Sequence, residues 1–320
     1  MNDKSKQSED QGNWYILTVG LPSLRDSLTL APGVSLRPIE EPLSVFDLAA
    51  AGAVGFTGWS VLEPIAPACT CEIESALDSD ITPGYDTLNR AWLASTMLVL
   101  RGFTRHLCIA CSRYTWQIIS GHQKRHSAVF KKQMHDNGVD EALFNPNEDL
   151  PPFQGQLLDY HLKIITDDTA RTDEVTSEDA EWIRNHYTSF NQLAADNESF
   201  RFALESATDW RYATDRRSAV ARLWAGIEAV FGVSSELVYR ISLLSASLTT
   251  PRGPQRRNRF VEVKKLYGLR SKIVHGDKVS QERQREALNK SYHLLRTLLL
   301  LITERGRMLS QDDLDEAVFH

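Results

Sequence analysis

The sequence predicts an α+β protein: a mixed N-terminal region built on a small sheet, followed by an all-α helical bundle. Three observations predict it. Short β-branched and aromatic runs, broken by Gly, Pro and Ser, fill the first 75 residues. Long runs of helical apolar spacing dominate after residue 176. With 320 residues, 42% hydrophobic and 24% charged, the chain has ordinary globular composition and enough length for two cores.

Residues 1–12 are polar without periodicity and are expected to be a disordered tail. WYILTV, DSLTLA and VSLRPI read as strands, and EPLSVFDLAAAGAVG reads as a short helix opened by acids and proline. WSVLEPIA and ACTCEIES then return to strand. From Tyr85 to about Met134 the chain reads as long apolar helices, with Gly102 and Gly121 as breaks. NPNEDLPPFQG is a loop, and QLLDYHLKII alternates as a strand or a short helix, the strand being favoured. A helix start is written in TSEDAEW, where Thr or Ser precedes acids, and helices continue through Trp182, Phe190, Phe202 and Trp210. The expected organisation is a tail over 1–12, an N-terminal α+β region over 13–175 and a helical domain over 176–310.

The net charge is −6, from 36 Lys and Arg against 42 Asp and Glu, so attraction to nucleic acid requires a local patch. From Pro251 to Arg283 there are ten Lys or Arg against three acids, a balance of +7. Such a run serves as a solvated face or as an RNA contact. The start of the chain is polar and no apolar run reaches eighteen residues, so a cytoplasmic location is expected.

The four cysteines fit reduced thiols. Cys69 with Cys71 and Cys108 with Cys111 have zinc-like spacings, but an apolar helix carrying two small residues on one packed face explains the second pair more simply. His122 and His126 lie beside cations and read as surface histidines. Neither a metal nor a cofactor is expected. The chain has no Walker loop, no dinucleotide glycine fingerprint and no H-E-x-x-H.

The most informative stretch is YGLRSKIVHGD, which joins the fixed cation Arg270 to the titratable imidazole of His275. In metal-independent RNA cleavage a base draws the proton from the 2′-hydroxyl, whose oxygen attacks the adjacent phosphorus, and DNA lacks that hydroxyl. His275 suits the base, or the acid for the leaving oxygen, and Arg270 suits the phosphate. Ser271 takes the polar position between them. Gly276 is the usual residue at a helix stop, which sets His275 at a helix C-terminus, and Asp277 is placed to orient its ring. On an ideal helix the five residues from Arg270 to His275 turn the chain by about 500°, leaving the two side chains roughly 140° apart.

Upstream, RLWAGIEAVFG places Trp224 and Glu228 on one side of a helix, and the glutamate needs a partner, either Arg270 or Arg240. Tyr267 suits stacking on RNA or packing. Arg256, Arg257, Arg259, Lys264, Lys265 and Lys272 form the expected RNA-binding strip.

The order RLWAGIEAVFG, ELVYRISLLSASLT, the loop PRGPQRRNR, FVEVKKLYGLRSKIVHGD and a long helix through Tyr292 and Leu301 resembles the HEPN superfamily, specifically its Apea-like branch. That branch carries a tryptophan and a glutamate on one helix, a helical linker and a Y-x-x-R-x4-H-G signature. The resemblance covers about residues 190 to 308. It implies a metal-independent endoribonuclease in which two copies bring two R-x4-H motifs together, with tRNA as one candidate substrate and phage defence or growth arrest as the setting. Family ribonucleases often carry Asn or His where this chain has Ser271. The competing implication is a catalytically silent HEPN binding module. A third reading makes the N-terminal region a sensor for a regulatory ligand or protein.

Overall fold

The computed structural model describes residues 13–50, 62–76, 87–121, 128–140, 155–158, 164–233 and 235–319. The expected tail, His122 and His126, the loop up to residue 154 and parts of the readings over 51–61 and 159–163 lie outside these. The fold is α+β: a six-stranded antiparallel sheet with short helices, then a helical region. The chain divides into two compact units. One takes residues up to Ser95, Arg105–Tyr160 and Thr172–Arg184, and the other takes Thr96–Thr104, His161–Arg171 and Asn185–His320.

The first unit is built on β1 (Trp14–Val19), β2 (Leu28–Ala31), β3 (Val34–Pro38), β4 (Cys71–Ser75), β5 (Leu107–Ser112) and β6 (Gly155–Leu157), in the order β2-β3-β4-β1-β5-β6. Its short helices include α1 (Val45–Ala50), α3 (Trp116–Ile119) and α4 (Ala128–Asp136), and α2 (Thr87–Leu100) begins in it. Register places Leu36, Ile73, Ile16 and Cys111 in one cross-strand row, so an apolar stripe runs across four strands on one face. The neighbouring row contains Arg37, Glu72, Leu17 and Ala110. Glu72 is fully buried there, and it accepts hydrogen bonds from Thr115 Oγ1 at 2.6 Å and from Trp116 N at 2.7 Å, which satisfies the start of α3.

Two expectations are corrected in this unit. HLCIACSRYTW does not continue a helix. Leu107–Ser112 is strand β5, because pairing with β1 and β6 satisfies its backbone while its side chains are buried on both faces of the sheet. Cys108 and Cys111 therefore do not share a helical face. They do share a sheet face, because a bulge opposite Leu17 and Thr18 pairs Cys108 with Thr18 and Cys111 with Ile16, two residues apart on β1. The described part of WSVLEPIA is a turn leading to a 3₁₀ turn at Ala66–Ala68, not a strand: Pro64 lacks the N–H a ladder needs. QLLDYHLKII begins as strand β6.

Helix α5 (Ser177–Asp196) starts where TSEDAEW predicts. Thr176 Oγ1 accepts from Asp179 N at 3.2 Å and Thr176 N donates to the Asp179 carboxylate at 3.1 Å, a reciprocal cap. The residues of α5 through Arg184 belong to the first unit; the second unit takes the rest of α5 and continues with α6 (Glu198–Asp209), a 3₁₀ turn at Trp210–Tyr212, α7 (Arg216–Phe231), α8 (Leu237–Thr249), α9 (Pro254–His275), α10 (Gln281–Arg305) and α11 (Gln311–Phe319). Its core is aromatic: Phe190, Phe200, Trp210, Trp224 and Tyr292 are all buried. Gly226 sets the spacing of α7, since a Cβ there would lie 2.7 Å from Ser206 Cβ and 2.9 Å from Leu295 Cδ2.

Residues before α5 also belong to this unit. Tyr292 donates to the Val99 carbonyl at 2.8 Å, and Thr169 Oγ1 is 2.7 Å from His293 Nε2. Asp168 accepts from Asn289 at 2.9 Å. No helix among the described residues is long and apolar enough to cross a membrane.

Candidate functional site

Helix α9 carries the Arg270 and His275 motif. Pro254 occupies its first turn, where the missing N–H costs nothing. It ends at Gly276, whose φ of 89° is left-handed, with Asp277 N bonded to Lys272 O at 3.0 Å and Gly276 N to Ile273 O at 3.2 Å. This double closure is the stop expected from the glycine, and it leaves His275 as the last helical residue, exposed at the negative end of the helix.

Arg270 faces inward. Its Nη2 lies 3.2 Å from Glu228 Oε1 on α7, and the two side chains are 20% and 27% exposed. The partner of Glu228 is thus Arg270, not Arg240. The pair rests on an aromatic support: the Arg270 guanidinium lies 5.3 Å from the Tyr267 ring centre, Tyr267 meets Trp224 edge to face at 5.0 Å, and Trp224 Nε1 donates to Ser291 Oγ at 2.8 Å. Tyr267 is 8% exposed, so it packs and does not present a stacking surface. Burial pushes its phenol pKa upward, with Arg270 opposing and Glu228 adding to the rise. Arg270 Nε is enclosed without a hydrogen-bond acceptor among the described residues.

Three further site residues lie near His275 on the helix or its cap. Ser271 is half-buried, Lys272 is exposed, and Asp277 is exposed with no bond to His275 among the described residues. Within the basic strip, Arg256 donates to Thr250 O and Ala317 O, both at 2.9 Å, and Arg252 donates to Val318 O and Phe319 O, so both arginines close the C-terminal end of α11. Arg259 pairs with Glu262 at 2.8 Å. Arg257, Lys264, Lys265 and Lys272 are exposed. The strip thus divides into structural and solvent-facing members.

Two residues of this neighbourhood were not anticipated from sequence. Ser291 carries no local signal, being 67 positions from the Trp224 indole it receives. Arg217 had one: it precedes Trp224 by seven and Glu228 by eleven residues, helical spacings that repeat one face. Its Nη1 sits 3.7 Å from where a Cβ on Gly276 would lie.

In the sheet unit the cysteines are arranged for packing. Cys71 and Cys108 flank Thr18 in the sheet, about 9.5 Å apart at two strand spacings, too far to share one zinc ion at about 2.3 Å from each sulfur. Burial pushes the Cys69 thiol up to about 12, so it stays protonated at neutral pH. Comparison of the chain with protein-family models, curated proteins and solved structures finds no match.

Proposed function

We propose that the chain is a metal-independent endoribonuclease of the HEPN type, acting on RNA in the cytoplasm, with tRNA as a candidate substrate and phage defence or growth arrest as its setting. The observation that carries this reading is the contrast along α9. Arg270 is held by Glu228 at the edge of the core with donors left over, and His275 is exposed at the helix end. The two lie about 7.5 Å apart along the axis and roughly 140° apart around it, so one copy does not close a compact cleft. A twofold dimer that brings two α9 ends together supplies a composite site.

In this reaction His275 Nδ1 or Nε2, unprotonated, takes the 2′-hydroxyl proton. The 2′-oxygen forms a bond to phosphorus, and the bond from phosphorus to the 5′-oxygen breaks. A protonated His275 from the second copy returns a proton to the leaving oxygen. Arg270 neutralises charge on the non-bridging oxygens. The products are a 2′,3′-cyclic phosphate and a 5′-hydroxyl. The N-terminal unit, to which no chemistry is assigned, serves recognition of a regulatory ligand or protein.

The test is incubation of total RNA and tRNA with purified protein in EDTA, comparing wild type with Arg270→Ala and His275→Ala and identifying the fragment ends. Cleavage lost in both variants, with cyclic phosphate ends from wild type, supports the reading. The internal use of Arg256 and Arg259 favours the silent binding module as the second reading. RNA left intact by wild type at high concentration would select it.

A further inference from the structure

We infer that the end of the helical unit where α7 and α10 begin is a subsite for a second backbone phosphate of the RNA, beside the end of α9 that carries His275. This rests on reading that site as one that handles RNA. Four residues after Gly276, Ser280 caps α10 and accepts from Arg283 N at 3.4 Å. Asp215 caps α7, accepting from Ser218 N at 2.8 Å, and Arg216 and Arg217 are the first two residues of that helix.

Arg217 links this end of the unit to the catalytic motif. Its guanidinium lies beside Gly276, the residue next to His275, and its charge is among the causes that hold the Asp215 carboxyl below its ordinary pKa. Beside it, Arg216, Gln281, Glu282 and Arg285 line an open cavity of 310 Å³. Arg285 is partly engaged, its Nε lying 3.2 Å from Asp168 Oδ2, yet its side chain remains half exposed. Glu282 is the one carboxylate among the four lining residues.

A cavity with the guanidinium groups of Arg216 and Arg285 in its wall favours an anion, although the Asp215 carboxylate already caps the start of α7. The planar guanidinium fork matches a phosphodiester. The cavity opens to solvent, so a strand can enter and leave, as a backbone phosphate requires. An exposed arginine beside Gly276, one residue past His275, would fix the register of that strand, and it reads no base.

The test uses the full chain and a fully 2′-O-methylated RNA, which cannot supply the attacking hydroxyl, with anisotropy measured over a range of salt. Wild type is compared with Arg216→Glu/Arg217→Glu, with Arg217→Lys and with Arg25→Glu, the same kind of substitution at one exposed site in the sheet unit. Thermal melting confirms that each variant folds. The double variant is expected to bind about tenfold or more weakly, and its salt slope should fall by about 0.7 per arginine lost. Arg217→Lys should keep the wild-type slope, and Arg25→Glu should change neither quantity.

Unchanged affinity and slope in the folded double variant would overturn the subsite, as would equal loss in Arg25→Glu or a wild type that does not bind. The nuclease reading is judged separately on unmodified RNA. A wild type that binds through these arginines and cuts nothing sinks that reading and leaves the subsite standing. A wild type that cuts, beside a double variant that binds normally, sinks the subsite alone.

Discussion

Each unit of the molecule contains a glutamate facing an arginine, and the two pairs are built differently. In the sheet unit Glu72 is fully buried. It takes bonds from Thr115 and Trp116 N, and Arg37 stands off at 3.6 Å while bonding Glu74 at 2.9 Å. Its carboxylate completes a helix start, and its lone pairs are used internally. In the helical unit Glu228 meets Arg270 through a single contact of 3.2 Å, and both side chains reach solvent. A pair that uses up its donors and acceptors is architecture. A pair that fixes a guanidinium and leaves donors over is available to a ligand.

Substitutions should separate the two kinds of pair. The largest effect is expected on the proposed cleavage: Arg270→Ala or His275→Ala should lower its single-turnover rate by about 100-fold or more. His275→Ala should leave thermal melting unchanged, because the side chain is exposed. Next, Glu72→Ala strands the buried Trp116 amide, removes the acceptor of the part-buried Thr115 hydroxyl and should cost about 1–3 kcal/mol in urea unfolding. Glu228→Gln should change stability by less than about 1 kcal/mol, since both partners reach solvent. It should nevertheless reduce cleavage roughly tenfold by loosening Arg270. Equal stability losses for Glu72→Ala and Glu228→Gln would erase the distinction between the pairs.

The smallest effect concerns pH. Burial raises the Glu72 pKa above its ordinary value, against hydrogen bonds from Thr115 and Trp116 and the charge of Arg37. An acid whose folded pKa is raised contributes stability that is complete below its unfolded value, about 4.3, and is lost as pH rises through the folded value. Wild-type stability relative to Glu72→Gln should therefore fall with rising pH across that window in equilibrium unfolding. A difference that rises with pH would mean that the hydrogen bonds outweigh burial.

Much of the candidate site was legible because its signals are local. Arg270, His275 and the stop at Gly276 lie within seven consecutive residues, and the helix start at Thr176 is written in four. The partner of Glu228 was not legible, because Arg270 is 42 positions away and only the packing of α7 against α9 chooses it over Arg240. Tyr267 looked equally suited to RNA and to the core, and contact with Trp224 decided for the core. Strand β5 was misread for a related reason: LCIACS is apolar without alternation, so its own residues do not distinguish strand from helix.

By itself the sequence determined the α+β class, strands β1 to β4 and the capped ends of α5 and α9, because period, cap and turn energies act over a few neighbouring residues. Tertiary structure alone decided that β5 lies between β1 and β6, that Thr96–Thr104 joins the helical unit and that Arg252 and Arg256 close α11. Those choices depend on burial and on backbone pairing between distant segments. Burying one large apolar side chain is worth about 1.5–3 kcal/mol, more than the propensity difference of under about 1 kcal/mol by which most residues favour helix or strand.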